Sequence, residues 1–173
     1  FIFFLKLGVF LSVMLSLFIG TVLVGGFGRI PSFTELAVIK QSEASIVYSD
    51  DKEIIGKYFY KNRTEITYDK IPKHVIEALI ATEDVRFYEH DGIDKIAMLR
   101  VLIKTLVLGN RASGGGSTIS QQLAKNLFQR KDFSYLSMPV NKIKEAILAN
   151  RLEKTYDKNE IIALYLNTVP FGE

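Results

Sequence analysis

The sequence predicts a mainly α-helical protein that follows a single transmembrane helix and a small β-hairpin connector. Three observations carry this expectation: an uncharged apolar run near the start, two short β-type stretches flanking Asp50-Asp51, and helical periodicity from Ile71 onward. The expected division is residues 1–28 as a transmembrane anchor, 29–70 as a membrane-proximal linker carrying the hairpin, and 71–173 as the helical domain.

Phe1 to Phe27 is apolar apart from Lys6 and a few Ser, Thr and Gly residues, and Leu7 to Val24 carries no charge. About 20 such residues at a 1.5 Å rise cross a hydrocarbon core of ~30 Å. The run is long for a signal peptide and no small-x-small cleavage site ends it, so a retained anchor is expected. Lys6 and Arg29 flank it symmetrically and leave its orientation open. Phe33 to Ile39 is expected to make a short interfacial turn. Ala44–Ser49 and Lys52–Tyr60 then read as a hairpin, with a third strand at Thr64-Glu-Ile-Thr-Tyr68.

Beyond Pro72, which suits a first helical turn, Val75, Ile76, Leu79, Ile80 and Phe87 recur at helical spacing. Glu83 falls within that stripe, so a continuing helix buries its carboxylate, and burial disfavours the charged form of an acid. The alternative is a surface acid, or one paired with Arg86 or His90. His90 is expected to be a structural hydrogen-bonding group, and Gly92 to end the helix in a left-handed conformation. Lys95 to Leu108 reads as a core helix, with Ile96, Leu99, Val101-Leu-Ile103 and Leu106-Val107 mostly buried and Gly109-Asn110 as its stop.

The stretch Gly114-Gly-Gly-Ser-Thr-Ile-Ser-Gln-Gln-Leu-Ala-Lys-Asn126 organises the rest. Its glycines allow a tight turn, and Thr118 with Gln121 forms a capping box that starts a helix. Gln121/Lys125 and Gln122/Asn126 lie at i,i+4 and make a polar face, while Ile119, Leu123 and Leu127 line the other. Such a face suits a polyhydroxylated or anionic ligand. A nucleotide P-loop is excluded, because no Gly-Lys-Ser/Thr follows. Gln129-Arg-Lys-Asp132 reads as a basic turn. A helix beyond Pro139 runs to about Tyr156 with Glu145 beside a cation at i,i+3, and Asp157 with Glu160 caps a last helix in which Ile161, Leu164 and Tyr165 face inward.

At 173 residues, 48% hydrophobic and 24% charged, the chain fits one folded domain plus an anchor. The net charge of +3 is scattered, with no basic stripe interleaved with aromatics, so nucleic acid is not an expected partner. Cysteine is absent and only two histidines occur, which excludes disulfides and argues against a zinc centre.

Two acids on separate helices with a polar helix and cations between them suit chemistry at a sugar, either transfer or hydrolysis. Ala81-Thr-Glu-Asp-Val-Arg-Phe-Tyr-Glu-His-Asp-Gly92 resembles the first motif, Glu-Asp-x-x-Phe-x-x-His-x-Gly, of the peptidoglycan glycosyltransferases, glycosyltransferase family 51. Gly115–Asn126 resembles the second motif, Lys142-Ile-Lys-Glu145 most of the third, and Lys158–Asn167 the fourth. Tyr58, Asn62-Arg-Thr64 and Tyr68-Asp69 also resemble the segment before this domain in bifunctional class A penicillin-binding proteins.

The resemblance implies a lysozyme-like glycosyltransferase domain that polymerises lipid II on the outer face of the cytoplasmic (inner) membrane, in contact with the growing glycan strand and other cell-wall synthesis proteins. It implies Glu83 as general base toward the acceptor hydroxyl, with Asp84 supporting it. Glu145 is the second acid, positioning the donor side or a divalent metal (Mg2+ or Mn2+), with no cofactor required. Lys125, with Arg130 or Lys131, would hold pyrophosphate. Ser117, Thr118, Gln121, Gln122 and Asn126 would line the cleft, and Phe87, His90 and Lys142 belong to the same binding set. Two departures stand out. Asn141 occupies the place of the arginine that usually opens the third motif, and the chain stops after the fourth, so it is expected to be the truncated amino-terminal part of a longer enzyme. A lysozyme-like muramidase and a non-catalytic, membrane-anchored glycan- or divisome-binding scaffold are the rival readings.

Overall fold

The computed structural model describes residues 2–39, 45–51, 53–58, 65–108 and 115–170. Helix α1 (Ile2–Leu23) has an apolar window of mean hydropathy 2.4, and none of that window is buried. Val22 in its last turn is buried, and Phe18 packs edge-on against Phe27 just beyond the helix. It is long and apolar enough to cross a membrane.

Past a turn at 24–28, Ser32 starts the short helix α2 (Phe33–Leu36). Its hydroxyl accepts from the Glu35 N–H, and the Glu35 carboxylate accepts the Ser32 N–H in return. Leu36 is wholly buried in the main core, which ties this membrane-proximal stretch to the helical body. Strands β1 (Ser45–Tyr48) and β2 (Ile54–Tyr58) pair antiparallel, Ser45 opposite Tyr58 and Val47 opposite Gly56, with a register shift between Val47 and Tyr48. The third strand expected at 64–68 does not form. Residue 64 and the Asn62–Arg63 pair lie outside the described residues, and Tyr68–Lys70 makes a 3-10 turn. The backbone of Ile66 is instead paired by a side chain: its N–H donates to Asn167 Oδ1 at 3.0 Å, and Asn167 Nδ2 donates to its carbonyl at 2.8 Å.

Helix α3 (Lys73–Glu83) starts after Pro72, as expected, and ends four residues before Phe87. Asp84 leaves the helical path at φ −157°, and Phe87 is delivered to the core by a separate 3-10 turn, Phe87–Glu89. Gly92 does hold a left-handed φ of +90°, but it ends no helix. A β-carbon there would lie 2.7 Å from the Ala149 carbonyl carbon, so glycine lets this loop touch a helix backbone.

Helix α4 (Lys95–Leu108) has the expected bounds but not the expected burial. Ile96, Leu99 and Ile103 are 58%, 56% and 50% exposed, because no other described element covers that face; among the described side chains of α4, only Ala97, off that face, is buried. The side chains of Leu102, Leu106 and Val107 and the stop at 109–110 lie outside the described residues.

Helix α5 (Ile119–Leu127) is the hub. It packs on α6 (Ser137–Thr155) and α7 (Lys158–Thr168), and Ile119, Leu123 and Ala124 are fully buried between them. Leu148, Leu152, Ile161, Ile162 and Tyr165 face them from α6 and α7. The capping boxes Thr118/Gln121 and Asp157/Glu160 both form. Pro139 sits within the first turn of α6, which begins two residues before it, where a proline's missing N–H costs nothing.

Candidate active site

The end of α3, the glycine turn and the start of α4 enclose a cleft of about 290 Å³ lined by Glu83, Asp84, Arg86, Asp94, Arg100 and Ser117, among others. Helix α3 stops at Glu83 because the next carboxylate is used elsewhere. Asp84 Oδ2 accepts the first amide of α5, Ile119 N–H, at 3.1 Å, and both its oxygens lie 3.1 Å from His90 Nε2. Asp84 and His90 are therefore buried fasteners between loop and helix. The resemblance assigns Asp84 to the support of Glu83, but the partners Asp84 has are His90 and α5.

Glu83 itself is exposed, contrary to the burial inferred from the stripe, because the helix ends at it and the face does not continue. Neither Arg86 nor His90 pairs with it: Arg86 binds Glu89 at 2.9 Å and lies 3.8 Å from Asp94. Its partner is Gln122, whose Nε2 donates to Glu83 Oε2 at 2.7 Å. The Gln122 Oε1 accepts from the Tyr165 hydroxyl at 3.0 Å, and its backbone carbonyl accepts from Asn126 Nδ2 at 2.7 Å. Burial, and then the Glu83 charge, push the Tyr165 hydroxyl above its ordinary value, so it stays a proton donor. The phenol fixes which end of the Gln122 amide faces the acid.

Asp94 closes the far wall and caps α4, accepting the N–H groups of Ile96 and Ala97 at 2.9 Å each. Burial pushes its carboxyl up. The Ala97 N–H, the Arg86 guanidinium, the Ile96 N–H and His90 outweigh that and hold it below the usual carboxylate range.

A second cleft, of about 330 Å³, lies where the membrane-exit segment meets α5 and α6 and is lined by Arg29, Arg130, Lys131, Asn141, Lys144 and Glu145, among others. Glu145 is buried, with Arg130 Nε donating to its Oε1 at 2.7 Å and Lys142 Nζ 3.0 Å from its Oε2. Lys142 also donates to Ser117 Oγ at 3.0 Å. Lys142 thus bridges the glycine turn, through Ser117, to the second acid, Glu145.

Asn141 does more than lack a guanidinium. It is buried, and its amide pairs with the backbone of Lys131, donating to the carbonyl at 2.8 Å and accepting the N–H at 3.4 Å. That contact holds the strand of chain carrying Arg130, which supplies a guanidinium to Glu145 from the loop instead.

Several residues expected to line the cleft are placed elsewhere. Phe87 is fully buried, with Lys158 Nζ 4.3 Å from its ring centre. His90 is interior, and Gln121 is buried because its Oε1 accepts the Thr118 N–H as half of the capping box. Thr118 does border the glycine-turn cleft as expected, but it is nearly buried, its hydroxyl donating to the Gly92 carbonyl at 2.7 Å. Lys125 and Asn126 are exposed, and Lys125 lines neither cleft. Sequence reasoning missed a buried polar cluster behind the site. Glu153 accepts from the Ser120 hydroxyl at 2.5 Å and from Lys158 at 2.7 Å, and Lys158 also donates to the His90 carbonyl at 2.6 Å. Ser120 on the apolar side of an amphipathic helix was the available signal.

Glu145 does not fit a divalent cation in this arrangement, since both its oxygens already face positive charge. Among the described residues no group of three or more His, Asp or Glu side chains gathers in a way that could hold a metal ion.

The helical body that follows the apolar helix thus presents an exposed acid at a glycine turn and a second acid among cations, an arrangement that acid–base chemistry on a charged leaving group can use. The family model for transglycosylases matches residues 51–173, and the chain belongs to that family. Penicillin-binding protein 1A of Escherichia coli (strain K12) is 41% identical over 145 residues, which cover 82% of this chain and 16% of that protein. Penicillin-binding protein 1A of Aquifex aeolicus (strain VF5) is 40% identical over 164 residues, 94% of this chain and 22% of that protein. Penicillin-binding protein 1F of Bacillus subtilis (strain 168) is 41% identical over 138 residues, 80% and 18% respectively. The chain therefore spans less than a quarter of the length of these relatives.

Proposed function

We propose that this chain carries the catalytic acids of a peptidoglycan glycosyltransferase that polymerises lipid II into glycan strands. The observation that carries this reading is the exposed Glu83 carboxylate, held by Gln122 at the lip of the glycine-turn cleft. A base must reach a substrate hydroxyl, and an exposed acid with one oxygen anchored leaves the other oxygen to do so.

In this mechanism Glu83 takes the proton from the acceptor GlcNAc 4-hydroxyl while that oxygen attacks the donor's anomeric carbon with inversion. The bond to undecaprenyl pyrophosphate breaks, and the leaving group departs with the electron pair. Arg130 and Lys142, positioned by the Glu145 carboxylate, would stabilise the negative charge that grows on the pyrophosphate. Arg130, beside Glu145, and the exposed Lys125 on α5 are the cations that would hold the pyrophosphate. Lipid-linked substrate matches an anchor placed just before the catalytic region, and the reaction is assigned to the outer face of the cytoplasmic membrane.

The test is glycan-strand formation from labelled lipid II in detergent by the intact protein and by Glu83→Gln. Polymer from the wild type and none from the variant is the expected result. The variant should melt within about 2 °C of wild type, because Glu83 is exposed. Undiminished polymer from Glu83→Gln refutes the assignment of the base, and shortening of preformed glycan by the wild type would support hydrolysis instead.

A further inference from the structure

Asn141 and Glu145 lie one turn apart on the same face of α6, and together they hold two consecutive residues of the loop that enters that helix. Both are buried. Asn141 grips the main chain of Lys131, its Nδ2 donating to the carbonyl at 2.8 Å and its Oδ1 accepting the N–H at 3.4 Å. Glu145 grips the preceding side chain, its Oε1 accepting from Arg130 Nε at 2.7 Å. Consecutive Cα atoms lie about 3.8 Å apart and four helical residues rise about 6 Å, so two adjacent loop residues can meet two successive turns.

The two grips act in series on one guanidinium. With the Lys131 peptide fixed, Arg130 has only its own side-chain torsions left to settle, and the Nε contact restrains those. That contact uses the inner nitrogen. Among the described residues the two Nη groups donate no hydrogen bond, and the Arg130 side chain is 34% exposed in the wall of the 330 Å³ cleft, which Asn141 also lines. A guanidinium held at one nitrogen and open to a cleft keeps two donor groups for phosphate oxygens. The grip on Lys131 needs an amide, because it gives one hydrogen bond and takes one. Asn141 is also where the chain departs from the third motif it resembles, and the arginine of that motif has donors only.

We propose that Asn141 is a positioning residue for the leaving group: by fixing the Lys131 peptide it sets the Arg130 guanidinium to receive a lipid-linked pyrophosphate in the cleft beside Glu145. This deepens the glycosyltransferase reading and rests on it. Asn141 has no part in proton transfer, which belongs to Glu83 in the other cleft. Its loss acts on pyrophosphate affinity, and only through Arg130.

Titration calorimetry of farnesyl pyrophosphate into the intact protein in detergent tests this without requiring turnover, with farnesol as the blank for the lipid tail. Arg130→Gln removes the charge and should weaken binding about tenfold or more, while Asn141→Leu, which keeps Arg130, should weaken it about three- to tenfold. The double variant should bind as Arg130→Gln does, because nothing is left for Asn141 to position. A merely structural role would give losses that multiply. Thermal melts establish that each variant is folded at the titration temperature, and Asn141→Ala carries the same cycle if the leucine variant is not. Wild-type affinity in Asn141→Leu overturns the proposal, as do losses that multiply in the double variant or farnesol that binds as tightly as the pyrophosphate. Lipid II polymerisation by the wild type is measured alongside. Non-additive losses without polymer would support the pyrophosphate site and overturn the reading of the reaction, whereas polymer with multiplying losses overturns the role of Asn141 alone.

Discussion

Thr118 offers the most direct test of how the glycine turn is locked to the rest of the site. Its hydroxyl does two jobs at once: it accepts Gln121 N–H at 3.2 Å at the start of α5 and donates to the Gly92 carbonyl at 2.7 Å. Thr118→Val keeps the branched shape and the extended backbone and removes only the hydroxyl. Losing the cap costs about 1 kcal/mol. The buried Gly92 carbonyl is left without its donor, which costs roughly 1–3 kcal/mol more. The sum is about 3 kcal/mol, and at roughly 2–4 °C per kcal/mol for a protein of this size the melting temperature should fall by about 6–12 °C. Circular dichroism at 222 nm in detergent reads this change in a mostly helical chain. Thr118→Ser retains both bonds and should stay within about 1 kcal/mol of wild type. A fall below about 2 °C for Thr118→Val refutes the argument, and equal falls for both variants would assign the effect to the lost methyl group.

Two further outcomes follow from the buried charges. Lys158→Met leaves the Glu153 carboxylate inside the protein with only the Ser120 hydroxyl, and should cost about 3 kcal/mol, while adding Glu153→Gln should restore much of it; a thermal melt in which the double variant is worse than the single one contradicts this. Asp94, held below the ordinary carboxylate value of 3.8, stabilises the fold above that pH and ceases to do so as pH falls through its folded value. The gap in melting temperature between wild type and Asp94→Asn should therefore be full at pH 6 and narrow below about pH 4, and a gap that is constant into acid rules out the depressed acid as its source.

Much of the helical frame was legible because its signals are local. Thr118/Gln121 and Asp157/Glu160 cap helices through side chains three residues apart, and α4 begins and ends where its periodicity does. Burial was less legible, because it depends on which surface arrives opposite. Ile96, Leu99 and Ile103 have the pattern of a core face and no described neighbour to cover it. Glu83 shows the same limit in reverse. Nothing between Ile80 and Phe87 resembles a helix stop, and α3 ends there because Asp84 is drawn to the amide of Ile119, 35 residues away. The family motifs identified the two acids, but not the residues that hold them. Gln122 reaches Glu83 from α5, and Arg130 reaches Glu145 from a loop whose place is kept by Asn141.

The clamp between Asn167 and Ile66 has a consequence for the order of assembly. It joins positions separated by 101 residues, and closing a free loop of that length costs on the order of 4 kcal/mol in chain entropy. Two hydrogen bonds return about 1 kcal/mol each. The clamp therefore cannot draw the chain ends together and must close after α5, α6 and α7 have condensed and shortened the loop. It is a late seam, and by the same arithmetic an early one to open. The backbone of Ile66 loses this tie whenever the tip of α7 frays, while Leu36 in the core and the pairing of α5 with α6 are left in place.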